Sequence, residues 1–422
     1  MLSGHDIILI SSIEWDFNWQ GHQEIASRLA RAGNRVLYVE NMGVRSPGLR
    51  DTKRVAQRFF HWAGSQLDGG VRQVSPNLYV CSPLILPPFG SGVRRQLNRR
   101  LLLPLIVRAV SGLGFDPDVI CTFLPTDTAG ALVQMLSRPQ GVVVYYCIAD
   151  FAELSPHHDE VLQSERSLLE ISDVVFAQGS QLAERCSHGN KKAAVFPFGV
   201  NIGRFTNGNG EANSAPDEGR LATAGRDSAS AFLSTLPRPI IGYVGGIHKF
   251  FDREMLAAMA RAKPGWSWVL VGPLQASTRE LKRIENIYLA GPKAHEDLPD
   301  YIRSFDVGIV PYLCNGYTAT VVPTKINEYL AMGKPVVSTD LPEVSAFNDE
   351  HGVIITSRNR PAEFVASIER ALLSTGENAM ITRRRRVAAL NDWEERLEGM
   401  SHLIERELRK RSFLNRMTVD GG

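Results

Sequence analysis

The chain has 422 residues, of which 44% are hydrophobic and 22% charged, and its formal net charge is +2. This length suits two domains rather than one, and the near balance of charge argues against a dedicated nucleic-acid binder. Five cysteines (Cys81, Cys121, Cys147, Cys186 and Cys314) stand far apart with no C-x-x-C pair, so neither a zinc site nor a disulfide framework is expected. Met1–Leu9 lacks the basic start of a secretory leader, and no apolar run reaches bilayer-spanning length. The expected setting is a reducing cytosol, with any membrane met from its surface.

In chain order, Asp6–Ile10 is an apolar run of buried-strand length. Gln23–Ala32 has helical spacing, Gly33 is placed to end it, and Arg35–Val39 reads as a second strand. Strand, helix and strand in so few residues imply a parallel pair. The loop between the first strand and the helix, WDFNWQGH at Trp15–His22, carries Trp15 and Trp19. These rings either stack on the flat faces of a ligand or pack the loop, and His22 either contacts a ligand or serves as a satisfied cap. Arg94–Val110 is basic and strongly apolar, an amphipathic helix interrupted near Pro104. Further strands are expected at Val119–Phe123, Val142–Ile148, Asp173–Ala177 and Lys192–Phe196, and Asp150 directly follows the second of these. A stretch rich in Gly, Ala, Ser, Asn and Asp comes next and has almost nothing to bury, which marks a flexible joint.

A second alternating series begins after the joint. Strands are expected at Ile240–Val244, Trp268–Val271, Ile287–Ala290, Val307–Val310, Pro335–Ser338 and Val353–Ile355, with helices between them. The organisation is therefore 1–206 as one Rossmann-like domain, 207–236 as a linker and 237–392 as a second Rossmann-like domain. Residues 393–422 form a charged helix expected to return to the first half. Two such domains facing across a cleft would place ligands at the carboxyl ends of the strands. Arg383–Arg386 and Arg409–Arg411 make the tail locally basic, either as a solvated face or as a contact with an anionic membrane.

The most informative stretch is PTKINEYLAMGKPVVS at Pro323–Ser338. Pro323 suits the first turn of a helix, and Gly333 stops it before the next strand. Free backbone N–H groups at the helix start, beside Thr324, favour an anion such as a diphosphate, and Lys325 adds positive charge. Glu328, about a turn later, can accept two hydrogen bonds from the vicinal diol of a ribose. The alternative is an ordinary amphipathic helix with an exposed Lys and Glu. A second candidate, Gly242–Lys249, runs a strand into the Gly245-Gly246 turn, where backbone can approach phosphate closely.

These residues resemble the donor-site signature of family 4 retaining glycosyltransferases, in its P-x-K-x-x-E-Y variant. WSWVLVGP at Trp266–Pro273, LAGPKAHEDLPDYIRSFDVGIVPY at Leu289–Tyr312, FPFGVNIGRF at Phe196–Phe205 and VVVYYCIADF at Val142–Phe151 are similar to the same family. The resemblance implies the GT-B fold, transfer of a sugar from a UDP- or GDP-sugar with retention of configuration, and no metal or other cofactor. It implies a glycan or lipid-linked glycan as acceptor, of the kind used for cell-surface or exopolysaccharide synthesis, and places the Arg94–Val110 segment near such an acceptor. It implies catalytic parts for Asp150, which would face the transferred sugar or else cap the next helix, and for Lys325. Lys249, with His248 as runner-up, would stabilise the departing diphosphate. Gly245, Gly246, Gly272, Pro323, Thr324 and Glu328 would bind the donor, with base readout by backbone near Gly272–Pro273 and Lys293–His295. The family pattern has a second glutamate, and Thr320 stands in its place here. A sugar-nucleotide 2-epimerase of the same fold and a catalytically silent binding module are the competing readings.

Overall fold

The computed structural model describes residues 1–16, 19–40, 70–187, 192–206 and 231–419. Most of the expected linker, and Phe17 of the tryptophan loop, lie outside these residues. The chain divides into two compact units, Met1–Phe196 with Arg396–Gly422, and Pro197–Glu395. The division falls at Phe196, ten residues before the expected boundary. The segment after it carries Phe205, which is buried in the hydrophobic core of the second unit.

The first unit has eight strands: β1 Asp6–Ile10, β2 Arg35–Val39, β3 Val71–Ser75, β4 Leu78–Cys81, β5 Val119–Thr122, β6 Val142–Cys147, β7 Val174–Ala177 and β8 Ala194–Val195. Their order in the sheet is β3-β4-β2-β1-β5-β6-β7-β8, parallel throughout except for β3 against β4. β6 is buried at every position. An unbroken apolar run is what a parallel strand covered on both faces needs. The edge hairpin β3–β4 gave no clear sequence signal: VRQVS is mostly polar and half exposed. Its turn is made by Asn77, at φ 62°, one of the few residue types that tolerates the left-handed region.

The Arg94–Val110 segment is helical throughout, but its irregularity lies earlier than Pro104. Gly92–Leu97 and Leu103–Gly112 are α-helical, joined by a π turn at Asn98–Leu102. Asn98 is fully buried in that turn and bonds Leu86 through both its amide N and its Oδ1. The last helix runs Trp393–Val419. From Arg396 it packs with the first unit: Ser401 Oγ accepts from the amide of Leu2, and Arg411 pairs with Asp173. Arg409 and Lys410 pair with Glu405 and Glu407 along the helix. Arg384 is buried and donates to the carbonyls of Gly333 and Ser374. Arg384, Arg409, Lys410 and Arg411 are thus bonded within the protein.

The second unit has six parallel strands: β9 Ile240–Val244, β10 Ser267–Val271, β11 Ile287–Gly291, β12 Val307–Val310, β13 Val336–Thr339 and β14 Ile355–Ser357. Their order is β11-β10-β9-β12-β13-β14. Successive strands move one way from β9 to β11, then jump back across β9 to β12 and move the other way. The order therefore reverses between β9 and β12, and ligands of open α/β sheets bind beyond the carboxyl ends of the strands at such a point. Gly242 in β9 lets the strand lie against the Phe305 ring; a Cβ there would stand 2.1 Å from the ring.

Candidate functional site

At the carboxyl end of β9 the chain enters the Gly245-Gly246 turn, and at the end of β12 it reaches Tyr312. Gly245 has φ +129°, a conformation that favours glycine. Its amide donates to the carbonyl of Val271, at the end of the neighbouring strand β10. Gly272, with φ +148°, follows that strand. A Cβ on Gly272 would stand 2.0 Å from the carbonyl oxygen of Gly245, so glycine at both places lets the two strand ends touch.

Lys325 lies beside this turn. A Cβ on Gly245 would meet Lys325 Cε at 3.0 Å and Nζ at 3.5 Å. The ammonium donates to Tyr312 Oη at 2.6 Å and lies 5.3 and 5.0 Å from the ring centroids of Tyr243 and Tyr312. Tyr243 Oη in turn donates to the carbonyl of Gly246 at 2.9 Å. Burial and the neighbouring Tyr312 hold the Tyr243 phenol well above its ordinary range, so it stays a donor. The glycine turn, two phenols and one cation are thus tied together at the switch point.

His248 and Lys249 differ sharply. The His248 ring is held down to about 4, first by burial and then by the charge of Lys325. Its Nδ1 accepts from the amide of Phe250 at 3.2 Å, so the neutral ring carries its proton on Nε2 and can donate from there. Lys249 is exposed, with Nζ 4.8 Å from the Phe250 ring centroid. The structure thus sets Lys325 against the glycine turn with His248 as a neutral donor nearby, while Lys249 is exposed beside Phe250.

The helix carrying Glu328 runs Lys325–Ala331, shorter than expected. Two of its first amides are taken up within the segment. Ile326 N donates to Pro323 O, and Asn327 N to Thr324 O, both at 3.1 Å. Thr324 itself has helical backbone angles and makes no side-chain cap. The cationic side chain at this helix start is Lys325. Pro323 is buried and seats the segment. Glu328 faces His295, whose Nε2 is 3.4 Å from Glu328 Oε1. His295 Nδ1 lies 2.6 Å from a guanidinium nitrogen of Arg204. Thr320 Oγ1 donates to the carbonyl of Tyr317 at 3.0 Å, tying the residue to the short helix before it.

In the first unit, the sheet order reverses between β1 and β5, and His22 lies beside these strands. It is fully buried, stacked on Phe123 with centroids 4.2 Å apart, and held down to about 3 by burial. The Ser11 hydroxyl, which accepts from Tyr38 Oη at 2.7 Å, lies 2.6 Å from His22 Nδ1. His22 is thus a neutral, fully buried histidine in the core of the first unit. Trp15 packs edge-on against Tyr38 and Trp19. Trp19 donates its indole N–H to Glu24 and keeps an exposed face.

Asp150 Oδ1 caps the helix Phe151–Leu154, accepting from the amides of Ala152 and Glu153 at 3.1 and 3.2 Å, and its Oδ2 pairs with Arg185. Both oxygens are engaged, so the capping alternative describes its place. Cys147, Glu165 and Cys186 bring two thiols and a carboxylate within 4.8 Å of one another. Arg185 stands 3.1 Å from Glu165 Oε1 and 3.5 Å from Cys147 Sγ, and Tyr145 donates to the same carboxylate oxygen at 2.6 Å. The Arg185 guanidinium thus lies against the carboxylate and one of the two thiols.

Arg204, His295 and Tyr312 are the side chains whose part in the site the sequence did not reveal. All three lie within quoted motifs, but nothing in their spacing shows that a residue before the joint touches one beyond it.

Residues 238–374 match the family model described as Glycosyl transferases group 1. A curated relative, TuaH of Bacillus subtilis (strain 168), is 34% identical over 158 residues, which are 36% of this chain and 40% of that protein. TuaH is named as a glycosyltransferase of teichuronic acid biosynthesis, and the chain spans well under half its length. Among solved structures, sucrose-phosphate synthase of Thermosynechococcus elongatus superposes with a TM-score of 0.66 at 18% identity, covering 95% of this chain and 98% of that one. HepE of Anabaena, solved with UDP, gives 0.62 at 14% identity, covering 95% and 100%. The chain has the GT-B fold of two Rossmann-like α/β units, and its second unit carries the segment that matches group 1 glycosyl transferases.

Proposed function

We propose that the chain is a glycosyltransferase that takes a sugar from a nucleotide-sugar donor, with retention of configuration, and adds it to a precursor of a cell-surface or exopolysaccharide. The observation that carries this reading is the placement of Lys325 against the Gly245-Gly246 turn at the point where the sheet order reverses, with Glu328 on the following turn of helix. The turn admits a diphosphate close to backbone, and the ammonium with the His248 Nε2–H supplies donors to it. Charge that develops on the leaving diphosphate is stabilised by such preorganised groups. Glu328 accepts the ribose hydroxyls. Asp150 holds the turn after β6 through its cap and ion pair.

Two likenesses support the reading. HepE has been solved with UDP and with UDP-glucose, and TuaH is named for teichuronic acid biosynthesis. The test is incubation of the full chain with UDP-, GDP- and ADP-sugars while released nucleotide diphosphate is measured. One donor is expected to raise the melting midpoint, because it binds the native state, and to be hydrolysed slowly without acceptor. If none shifts the midpoint and none is hydrolysed, the reading fails.

We also propose that the first unit meets an anionic membrane surface. No helix among the described residues is long and apolar enough to cross a bilayer. Val93, Leu97, Leu101 and Leu105 are exposed to 70%, 39%, 60% and 43% at successive steps of four residues, beside the exposed Arg100 and Arg108. Apolar side chains flanked by arginines suit the headgroup region. Binding to liposomes is expected to require anionic lipid and to weaken with salt. Equal binding to neutral liposomes, or none to either, would contradict it.

A further inference from the structure

We infer that Arg204 and His295 are positioning residues that aim the Glu328 carboxylate at the donor ribose. The inference rests on the reading of Glu328 given above. The guanidinium of Arg204 has no acceptor atom and stays protonated. At 2.6 Å from His295 Nδ1 it must donate there. Nδ1 therefore accepts, and the single proton of the neutral imidazole lies on Nε2. That nitrogen is 3.4 Å from Glu328 Oε1, so the ring can only donate toward the carboxylate.

The chain of bonds has one direction, from cation to neutral ring to anion, and no proton needs to move along it. Each link is held from outside. Asn201 Oδ1 accepts from the Arg204 amide at 3.2 Å, and the Phe205 ring packs edge-on against His295 with centroids 5.9 Å apart. Glu328 and His295 side chains keep 15% and 23% of their surface exposed, enough for a ligand to reach the carboxylate. Among the described residues His295 is the one side-chain partner of Glu328. A lone glutamate with three free torsions would have to be ordered by the ribose itself, at the expense of affinity. His295 removes that need by holding Oε1, which leaves Oε2 and the remaining lone pair of Oε1 for the two hydroxyls.

The experiment compares ribo- and 2′-deoxyribonucleoside diphosphates on the full chain. UDP, GDP and ADP are titrated first, and the tightest is then compared with its 2′-deoxy form. The parent is expected to prefer the ribonucleotide about tenfold or more, the size of one lost hydrogen bond to a charged acceptor. His295→Phe keeps the ring and loses the donor, and its preference should shrink to about twofold. His295→Gln keeps an N–H at the Nε2 position and should restore most of it. Arg204→Met should behave as His295→Phe does, and serves in its place if the latter fails to fold. A purely structural role would lower affinity for both nucleotides alike and leave their ratio unchanged. If His295→Phe and Arg204→Met keep the parent ratio while Glu328→Gln loses it, the inference is overturned and the ribose reading stands. If Glu328→Gln also keeps the ratio, or if none of the three diphosphates binds, the ribose reading itself falls.

Discussion

Replacing Lys325 with methionine is expected to lower turnover of the nucleotide sugar by about 100- to 1000-fold, the usual cost of removing one preorganised donor from a developing anion. The ammonium is the cation that the structure sets against the Gly245-Gly246 turn. Charge grows on the diphosphate as the bond to the sugar breaks, so the loss should fall on kcat more than on KM. Methionine matches the length of the lysine stem and leaves Tyr312 and Tyr243, whose hydroxyls are 3.4 Å apart, to bond each other. The fold should survive. Lys249→Met changes an exposed side chain and should leave turnover within a fewfold of the parent. Steady-state rates of both variants check this. Equal losses would return Lys249 to the site, and an unaffected Lys325→Met would remove the ammonium from the chemistry.

How much of this was legible in the sequence depended on how local each signal was. The strands of both sheets stood out as apolar runs because parallel strands are covered on both faces. The β3–β4 hairpin escaped because its edge strand is short, polar and half exposed. Gly245, Gly246, Lys325 and Glu328 were found from turn and helix patterns, and the structure brings the lysine to the glycines. Lys325 and Lys249 were both expected at the site, but that Lys325 would lie against the glycine turn was not legible. Adjacency along the chain favoured Lys249, whereas the fold of β9 and β12 delivers Lys325 from far away. His22 illustrates the reverse: a histidine in an aromatic loop invites a ligand role, yet helix packing buries it against Phe123. The Arg204–His295–Glu328 chain joins residues from three separate segments, a relation no spacing rule contains.

The second large effect is expected at Glu328. If its carboxylate accepts both ribose hydroxyls, each bond is worth about 1.5–3 kcal/mol because the acceptor is charged. Glu328→Gln keeps the shape, removes the charge and turns one acceptor into a donor. Part of each bond survives as a neutral one, so affinity should fall by about tenfold to a few hundredfold. The loss should appear with the bare nucleotide diphosphate, since ribose and not sugar is the partner. Thr320→Ala should spare that binding, because the Thr320 hydroxyl is spent on the carbonyl of Tyr317. Calorimetric titration of the preferred nucleotide diphosphate into the parent, Glu328→Gln and Thr320→Ala therefore tests the donor site most directly. The expected result is one-to-one binding by the parent, a tenfold or greater loss in Glu328→Gln and none in Thr320→Ala; a folded Glu328→Gln that binds as tightly as the parent would contradict it.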